Sequence, residues 1–248
     1  MRISRLCVTY KRDLAERRMT DMPPILYFAP STCARVTLTA LEEIGQPFET
    51  RLIAFMAGEH RRPDYLSINP SGKVPALDIG NEVVTQNGSI LLYLARTHPD
   101  ARLLPLTYDP MKDATIISAL FRFSSDLHPL VTRFVLPGMM LTSRDGAPHV
   151  REKAKEVLLQ QLHPIAALLD GQPWLLGREW SILDAYLAWV WFRITGAGFD
   201  KATFPEITSH FERAMDRPSA KAAVEREARA HEELEQRGLA FIPPKVAS

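Results

Sequence analysis

The chain has 248 residues, 46% of them hydrophobic, with 30 basic and 29 acidic side chains and two cysteines. This composition excludes wholesale disorder, and a formal net charge of +1 gives no basic surface for nucleic acids or anionic membranes. The longest apolar stretches, such as 185–194, are shorter than the roughly 20 residues that span a bilayer. Two cysteines cannot by themselves build a disulfide framework or a four-ligand zinc site. We therefore expect a soluble protein of a reducing, cytoplasmic compartment, without a metal, nucleic-acid or membrane partner.

The two ends of the chain differ from the rest. Residues 1–22 carry more basic than acidic side chains, and Pro23 and Pro24 follow them. A signal peptide would need an uninterrupted apolar stretch of about 7–15 residues, which this segment lacks. We expect residues 1–22 to be a poorly ordered extension, with translation beginning near Met22, and residues 241–248 to be a tail.

From residue 23 to residue 102 the hydrophobic pattern alternates between strand and helix. Four short apolar runs predict strands, at 25–28, 48–53, 74–79 and 82–85. Apolar residues at helical spacing predict helices near 36–45 and 89–96. The order β-α-β, then a loop that can include an irregular helix, then β-β-α indicates an α/β domain over residues 23–102.

A linker and a helical region follow. Pro105 and Pro110 restrict the backbone of residues 103–110, which are predicted to join two domains. Over residues 111–240 the apolar periodicity predicts five helices, at 112–134, 150–169, 181–195, 205–215 and 218–236. The third of these is almost entirely apolar and is expected to be the buried central helix. The last carries a charged cluster that is expected to be a solvated face: Glu225, Arg226, Glu227, Arg229, Glu232, Glu233 and Glu235.

The first candidate for chemistry is the strand-to-helix junction Ser31-Thr32-Cys33. A helix start exposes unpaired N–H groups and the positive end of the helix dipole, which favour a thiolate. Cys33 is therefore a candidate reactive cysteine. The alternative is that Ser31 or Thr32 caps the helix and Cys33 packs inward, and the local residues leave both interpretations open.

Two further loops could bind a ligand. Val74-Pro75, in the segment 68–77, is a candidate cis bond because X–Pro is the linkage with a small cis penalty. A cis proline would leave the main chain of Val74 able to pair with an extended peptide, whereas an ordinary turn proline would not. In the segment 85–89, Asn87 is a strong N-cap type, and a helix start there could bind a carboxylate.

The segment Ser181-Ile182-Leu183-Asp184 is a capping box before the apolar helix. Ser181 and Asp184 are expected to satisfy N–H donors at a helix start that water cannot reach. The predicted role of this motif is structural, not chemical.

Together these motifs resemble those of glutathione transferases. The matching blocks are Asn-Pro-Ser-Gly-Lys-Val-Pro-Ala-Leu at 69–77, Gln-Asn-Gly-Ser-Ile-Leu-Leu-Tyr-Leu at 86–94 and the capping box at 181–184. The resemblance covers residues 25–236. It implies a thioredoxin-like N-terminal domain that holds glutathione, an all-α C-terminal domain, an electrophile site in the cleft between them, and a homodimer.

Within this superfamily, residues 27–33 resemble the start of bacterial beta-class enzymes, which carry a cysteine where Cys33 falls. The second beta-class signature is the histidine of a Ser-x-Leu-His segment, which His128 matches. The zeta class is the competing match, because its Ser-Ser-Cys motif resembles residues 31–33. Its basic residue falls one position after Arg35, however, and the context of His128 is not a zeta-class one.

The resemblance also implies the site residues. The catalytic candidates are Cys33, Ser31 and His128, and the glutathione-binding candidates are Thr32, Lys73, Val74, Pro75, Gln86 and Asn87. Many members carry a Glu-Ser pair where this chain has Gln86-Asn87, so a negative charge toward the ligand's ammonium group is lost, and we expect weaker binding. The cation for the glycyl carboxylate is expected to be Lys73, Arg61 or His60.

The implied function is conjugation of the glutathione thiolate to small hydrophobic electrophiles, with glutathione as co-substrate. One alternative is a glutathione-dependent thiol reductase, ether-cleaving enzyme or isomerase on the same fold. Another is a non-catalytic binding or regulatory protein. Cys33 could act as a hydrogen-bond donor to glutathione or through a mixed disulfide.

Overall fold

The computed structural model describes residues 22–240 except residues 81 and 108. The predictions for the N-terminal extension, apart from Met22, and for the tail at 241–248 lie outside the described residues. The described chain has an α/β part followed by a helical part, which confirms the predicted fold class.

A four-stranded mixed sheet forms the centre of the N-terminal part. Its strands are β1 (Ile25–Phe28), β2 (Glu49–Leu52), β3 (Ala76–Asp78) and β4 (Val83–Thr85). The spatial order is β2-β1-β3-β4; β1 runs parallel to β2, and β3 runs antiparallel to β1 and β4. Strand β3 is shorter than the predicted 74–79, since Pro75 has no N–H to donate to a ladder.

Among the described residues, three α-helices accompany the sheet: α1 (Ala34–Ile44), α2 (Pro63–Ile68) and α3 (Asn87–Thr97). Helix α1 ends at Gly45, whose backbone is left-handed (φ 71°) and whose N–H donates to the carbonyl of Leu41. Helix α2 lies in the region where the sequence predicts a loop with an irregular helix. Helix α1 contacts α3 on one side and helices of the C-terminal part on the other.

The C-terminal part contains six α-helices among the described residues: α4 (Pro110–Phe121), α5 (His128–Val135), α6 (Ala147–Leu168), α7 (Ile182–Gly196), α8 (Pro205–Met215) and α9 (Pro218–Gln236). The sequence predicted α4 and α5 as one helix over 112–134. They are separated by a π-helical turn, Arg122–Leu127. Pro129 explains the difference, because it has no N–H and its ring opposes the carbonyl one turn earlier. The wider turn places His128 at the start of α5.

One hydrophobic cluster runs through both parts of the described chain. It joins Leu26 of the sheet and Leu38 of α1 to Leu187 of α7, each with no exposed surface. Helix α7 is the buried central helix that the sequence predicts. None of the described helices combines the length and the apolarity that crossing a membrane requires.

Candidate functional site

The loop before α1 has an unusual backbone conformation. Ser31 has a φ of 64°, in the left-handed region that a non-glycine residue enters at a cost of about 1–3 kcal/mol. Thr32 Oγ1 donates to the carbonyl of Ala29 at 2.7 Å and accepts from the N–H of Ala34 at 3.3 Å. The Thr32 hydroxyl thus bonds within the loop and to the first N–H of α1, whereas Ser31 Oγ lies 3.5 Å from Nε2 of the exposed His231.

Cys33 points into the protein interior. It is 4% exposed, belongs to the hydrophobic cluster, and its Sγ donates a weak hydrogen bond of 3.9 Å to the carbonyl of Val74. Burial raises the pKa of Cys33 to about 12, because a buried thiolate loses its hydration. The expectation that the helix start favours a Cys33 thiolate is wrong, and the inward-packed alternative describes this residue.

The main chain of Ser31 is held by two helices of the C-terminal part. Its N–H donates to Glu227 Oε1 of α9 at 3.0 Å, and its carbonyl accepts from Trp189 Nε1 of α7 at 3.4 Å. Glu227 is only 2% exposed, so the predicted solvated face is wrong for this residue. Burial of Glu227 follows from the docking of α9 against α1.

A sequence signal for this contact exists in α9. Glu227 lies on the buried stripe of the helix, which has spacings of three and four residues: Ala220, Ala223, Glu227, Ala230 and Leu234. Such spacing marks the packed face of a helix. A charged residue within that stripe indicates a buried ionic contact and not a solvated one.

Arg35 is the ionic partner of Glu227. Its Nε donates to Glu227 Oε2 at 2.9 Å, and its Nη2 contacts the same oxygen. The two side chains are 11% and 3% exposed, and the guanidinium lies 3.8 Å from the ring centroid of Phe192. The Glu227 carboxylate is thus shared between Arg35 and the backbone of Ser31.

The loop before β3 contains the predicted cis bond, Val74–Pro75, which is confirmed. The carbonyl of Lys73 accepts from Tyr65 Oη at 2.6 Å and from Asn69 Nδ2 at 2.7 Å. These two bonds fix the backbone just before Val74, beside the Cys33 thiol.

The start of α3 differs from its prediction. Gln86, with φ 68°, occupies the cap position and is exposed, and Asn87 is the first helical residue. The Asn87 amide is buried: Nδ2 donates to the carbonyl of Cys33 at 3.1 Å, and Oδ1 accepts from Thr37 Oγ1 at 2.5 Å. The interpretation of Asn87 as an N-cap is therefore wrong, because its side chain joins α3 to α1.

His128 lies half-buried at the start of α5, with its ring centroid 4.9 Å from that of Trp189 and nearly perpendicular to it. Burial lowers the pKa of His128 to about 4, and the positive charges of Lys73 and Arg193 add to this shift. At neutral pH the imidazole is uncharged. Trp189 thus contacts His128 with its ring and Ser31 with its N–H.

The three predicted cations for a carboxylate differ in their surroundings. His60 is buried and stacks on Phe55, with ring centroids 3.9 Å apart. Burial lowers the pKa of His60, and the neighbouring Arg61 lowers it further. His60 is therefore a poor cation at neutral pH, whereas Lys73 and Arg61 are exposed.

The capping box at the start of α7 is local and buried. Asp184 Oδ2 accepts from the N–H of Ser181 at 2.8 Å and from its hydroxyl at 3.1 Å. Asp184 Oδ1 accepts from the N–H of Leu175 and from Nε2 of His210, both at 2.9 Å. These hydrogen bonds stabilise the packing of α7, and none of the catalytic candidates takes part in them.

The structure brings some of the predicted site residues together and separates others. Ser31 and His128 both contact Trp189, whereas the Cys33 thiol is buried and contacts the carbonyl of Val74. In the described part of the chain, no group of three or more His, Cys, Asp and Glu side chains is placed to hold a metal ion. The candidate site therefore offers a serine hydroxyl, a neutral imidazole and main-chain groups.

Comparison with known proteins agrees with this architecture. Residues 22–96 match the family model described as glutathione S-transferase, N-terminal domain. A glutathione S-transferase 1 of Dianthus caryophyllus is 31% identical over 77% of this chain and 86% of its own length. A maleylacetoacetate isomerase of Rhizobium meliloti is 31% identical over 58% of this chain and 66% of its own length.

Solved structures give the same result. A sphingomonad glutathione S-transferase complexed with glutathione is 27% identical and has a TM-score of 0.70 over 82% of this chain and 98% of its own. A bacterial beta-class glutathione S-transferase of Sphingomonas chungbukensis is 30% identical, with a TM-score of 0.71 over the same shares of the two chains. The chain belongs to the glutathione S-transferase family.

Proposed function

We propose that this protein conjugates the thiolate of glutathione to small hydrophobic electrophiles, and that Ser31 rather than Cys33 activates the sulfur. The observation that carries the proposal is the contrast between the two residues. The Ser31 hydroxyl lies near the exposed His231 at the cleft, whereas the Cys33 thiol is buried and has a raised pKa. Family membership supports glutathione as the co-substrate.

Glutathione would bind to the N-terminal part. The main chain of Val74, before Pro75, would pair with the cysteinyl residue of glutathione as a short antiparallel bridge. The γ-glutamyl carboxylate would meet the N-terminal end of α3, where helix N–H groups and the exposed Gln86 lie. Lys73 or Arg61 would supply the charge for the glycyl carboxylate. Thr32 would shape this pocket through the hydrogen bonds of its hydroxyl to Ala29 and Ala34.

The chemical step is a nucleophilic attack by sulfur. The glutathione thiol, with an ordinary pKa of about 8.5, gives its proton to solvent, and the Ser31 hydroxyl donates a hydrogen bond to the thiolate that remains. The sulfur forms a C–S bond with the electrophile, and with an aryl halide the halide leaves with its electron pair. His128, neutral and in edge-to-face contact with Trp189, would form a wall of the electrophile site.

A glutathione-dependent isomerase is the second candidate. The specific observation in its favour is the similarity to a maleylacetoacetate isomerase. In that case the same thiolate would add to the substrate and leave again, so glutathione would not be consumed. A thiol reductase is less well supported, because a mixed disulfide needs a thiolate that burial of Cys33 disfavours. The exchange to Gln86-Asn87 is the main support for a non-catalytic binder.

We further propose a homodimer in the cytoplasm, with the domain limits 23–102 and 111–240 joined by the linker 103–110. Family membership supports the dimer and the two-part division. Sedimentation analysis of the full chain is expected to give twice the monomer mass.

Retention on immobilised glutathione, followed by turnover of 1-chloro-2,4-dinitrobenzene, tests the function. We expect both retention and turnover. Retention without turnover or isomerase activity would favour a binding protein, and absence of retention would contradict the proposal.

Two substitutions test the residue assignment. Ser31→Ala is expected to lower kcat/KM at least about tenfold, which corresponds to roughly 1.4 kcal/mol of transition-state stabilisation. Cys33→Ala is expected to change kcat/KM by less than about threefold. A large loss in Cys33→Ala with little loss in Ser31→Ala would reverse the assignment.

A further inference from the structure

Three ionic contacts join α1 to α9 and to Arg217, the residue just before α9. Arg217 contacts Glu43, Arg226 contacts Glu42, and Glu227 contacts Arg35. In the first two contacts the side chains are between 19% and 28% exposed, whereas in the third they are 11% and 3% exposed. Of these three contacts, only the one with Glu227 also reaches the candidate catalytic loop.

The buried Glu227 carboxylate is costly unless it has partners. Arg35 supplies an opposite charge, and the N–H of Ser31 supplies a further donor at 3.0 Å. A buried carboxylate with these partners has its desolvation offset, and removal of one partner would leave a charge uncompensated. The positive charge of Arg35 also reduces the repulsion between the Glu227 carboxylate and a bound thiolate.

The same contacts determine the backbone of Ser31. Its left-handed conformation is unfavourable for serine and persists only where the surroundings hold it. Glu227 holds the N–H and Trp189 holds the carbonyl, so both main-chain groups of Ser31 are bonded to the C-terminal part. The position of the Ser31 hydroxyl therefore depends on where α9 docks.

We propose that Glu227 is a positioning residue for glutathione activation, acting through the backbone of Ser31, with Arg35 orienting its carboxylate. This inference rests on the proposed function. It makes the C-terminal helix α9 part of the active site. When α9 docks against α1, Glu227 holds the Ser31 backbone and so directs the Ser31 hydroxyl, the hydrogen-bond donor, toward the glutathione sulfur.

The test measures kcat/KM for 1-chloro-2,4-dinitrobenzene against pH at saturating glutathione, because its acid limb reports ionisation of the bound thiol. The titratable and charged groups around Ser31 and Glu227 are His231 of α9, Arg35 of α1, Arg193 of α7 and the neighbouring Cys33. Thermal melts accompany each variant, so that a loss of folding is separated from a loss of positioning.

Glu227→Ala is expected to move the acid limb upward by about one pH unit and to lower kcat/KM at neutral pH about tenfold. Glu227→Gln retains an oxygen at the same reach and is expected to recover most of this loss. Glu42→Gln is the matched control: it removes an ionic contact between the same two helices without touching Ser31, so its acid limb should not move.

An unmoved acid limb in Glu227→Ala, with only a lowered melting temperature, would overturn the inference. If Glu227→Ala does not fold, Glu227→Asp replaces it, because a shorter carboxylate keeps the charge and withdraws the oxygen. We then expect Glu227→Asp to be more impaired than Glu227→Gln, and the reverse order would overturn the inference. If Ser31→Ala leaves turnover unchanged, the proposed role of Ser31 in the function is wrong. If Ser31→Ala lowers turnover but the Glu227 variants change neither turnover nor the acid limb, only the positioning role of Glu227 is wrong.

Discussion

Two helices of this protein begin beside a serine, a half-buried one at α1 and a buried one at α7, and the two starts are built in opposite ways. At α7, Ser181 has an extended backbone (φ −138°) and is bonded to Asp184, three residues away. At α1, Ser31 has a left-handed backbone and is bonded to Glu227, 196 residues away. The first start is held by its own segment and the second by another part of the fold.

The difference agrees with a structural role for Ser181 and with the role proposed for Ser31 in binding the sulfur. A local capping box forms wherever α7 forms, so it contributes to stability and is independent of a ligand. A helix start held from a distance is assembled only when both parts of the chain are docked. The Ser31 loop can therefore keep an unfavourable backbone that directs its hydroxyl, and the rest of the fold offsets the cost.

The largest expected effect is on the local start. Asp184→Ala removes the acceptor of four hydrogen bonds, to Leu175, Ser181 twice and His210. We expect the free energy of unfolding to fall by about 3–5 kcal/mol, since buried donors are left without partners. Urea denaturation measures this loss. Activity per folded molecule should be retained, and a selective loss of activity at unchanged stability would contradict a purely structural role.

The next effect concerns His128, which contacts the same Trp189 that bonds to the Ser31 carbonyl, and the pH dependence of stability. The pKa of His128 is lowered from 6.5 to about 4 in the folded state. The unfolded state therefore binds more protons between these values, and stability falls as the pH is lowered through this window. His128 accounts for up to about 3 kcal/mol of this fall.

The measurement is urea denaturation at pH 7 and at pH 4.5, with His128→Gln as the comparison. The variant should lose less stability on acidification than the natural chain. Equal losses would show that His128 titrates at its ordinary pKa.

The smallest effect is the change in stability when the serine at each of the two helix starts is replaced by glycine. Ser181→Gly should lower stability by about 1 kcal/mol, because it removes a cap and adds chain entropy to the unfolded state. Ser31→Gly should leave stability unchanged or raise it by up to about 1 kcal/mol, because glycine adopts a positive φ without strain. Ser31→Gly should nevertheless lose activity with the hydroxyl. Equal losses of stability at the two positions would contradict the contrast.

Features that depend on neighbouring residues could be predicted from the sequence. The motif Ser181-Ile182-Leu183-Asp184 forms contacts over three residues, and the cis bond at Val74-Pro75 follows from proline chemistry next to a turn. The order of strands and helices followed from hydrophobic periodicity. These features are local, so the segment carries its own signal.

Features that depend on packing between distant segments could not be predicted from the sequence. The local position of Cys33 at a helix start predicts a low pKa, but burial raises the pKa instead, and this burial is set by the docking of α1 on the rest of the core. Asn87 is of an N-cap type, yet its amide is used between α3 and α1. Glu227 looked solvated within a charged run, although its spacing on α9 already placed it in the packed stripe.

The central claim is that Ser31, held by the C-terminal part, stabilises the glutathione thiolate while Cys33 does not. Ultraviolet absorbance of bound thiolate, titrated against pH, measures this directly. We predict that the pKa of bound glutathione lies below the ordinary thiol value of about 8.5 in the natural chain and in Cys33→Ala, and returns toward it in Ser31→Ala. A lowered pKa that survives in Ser31→Ala and is lost in Cys33→Ala would contradict the claim.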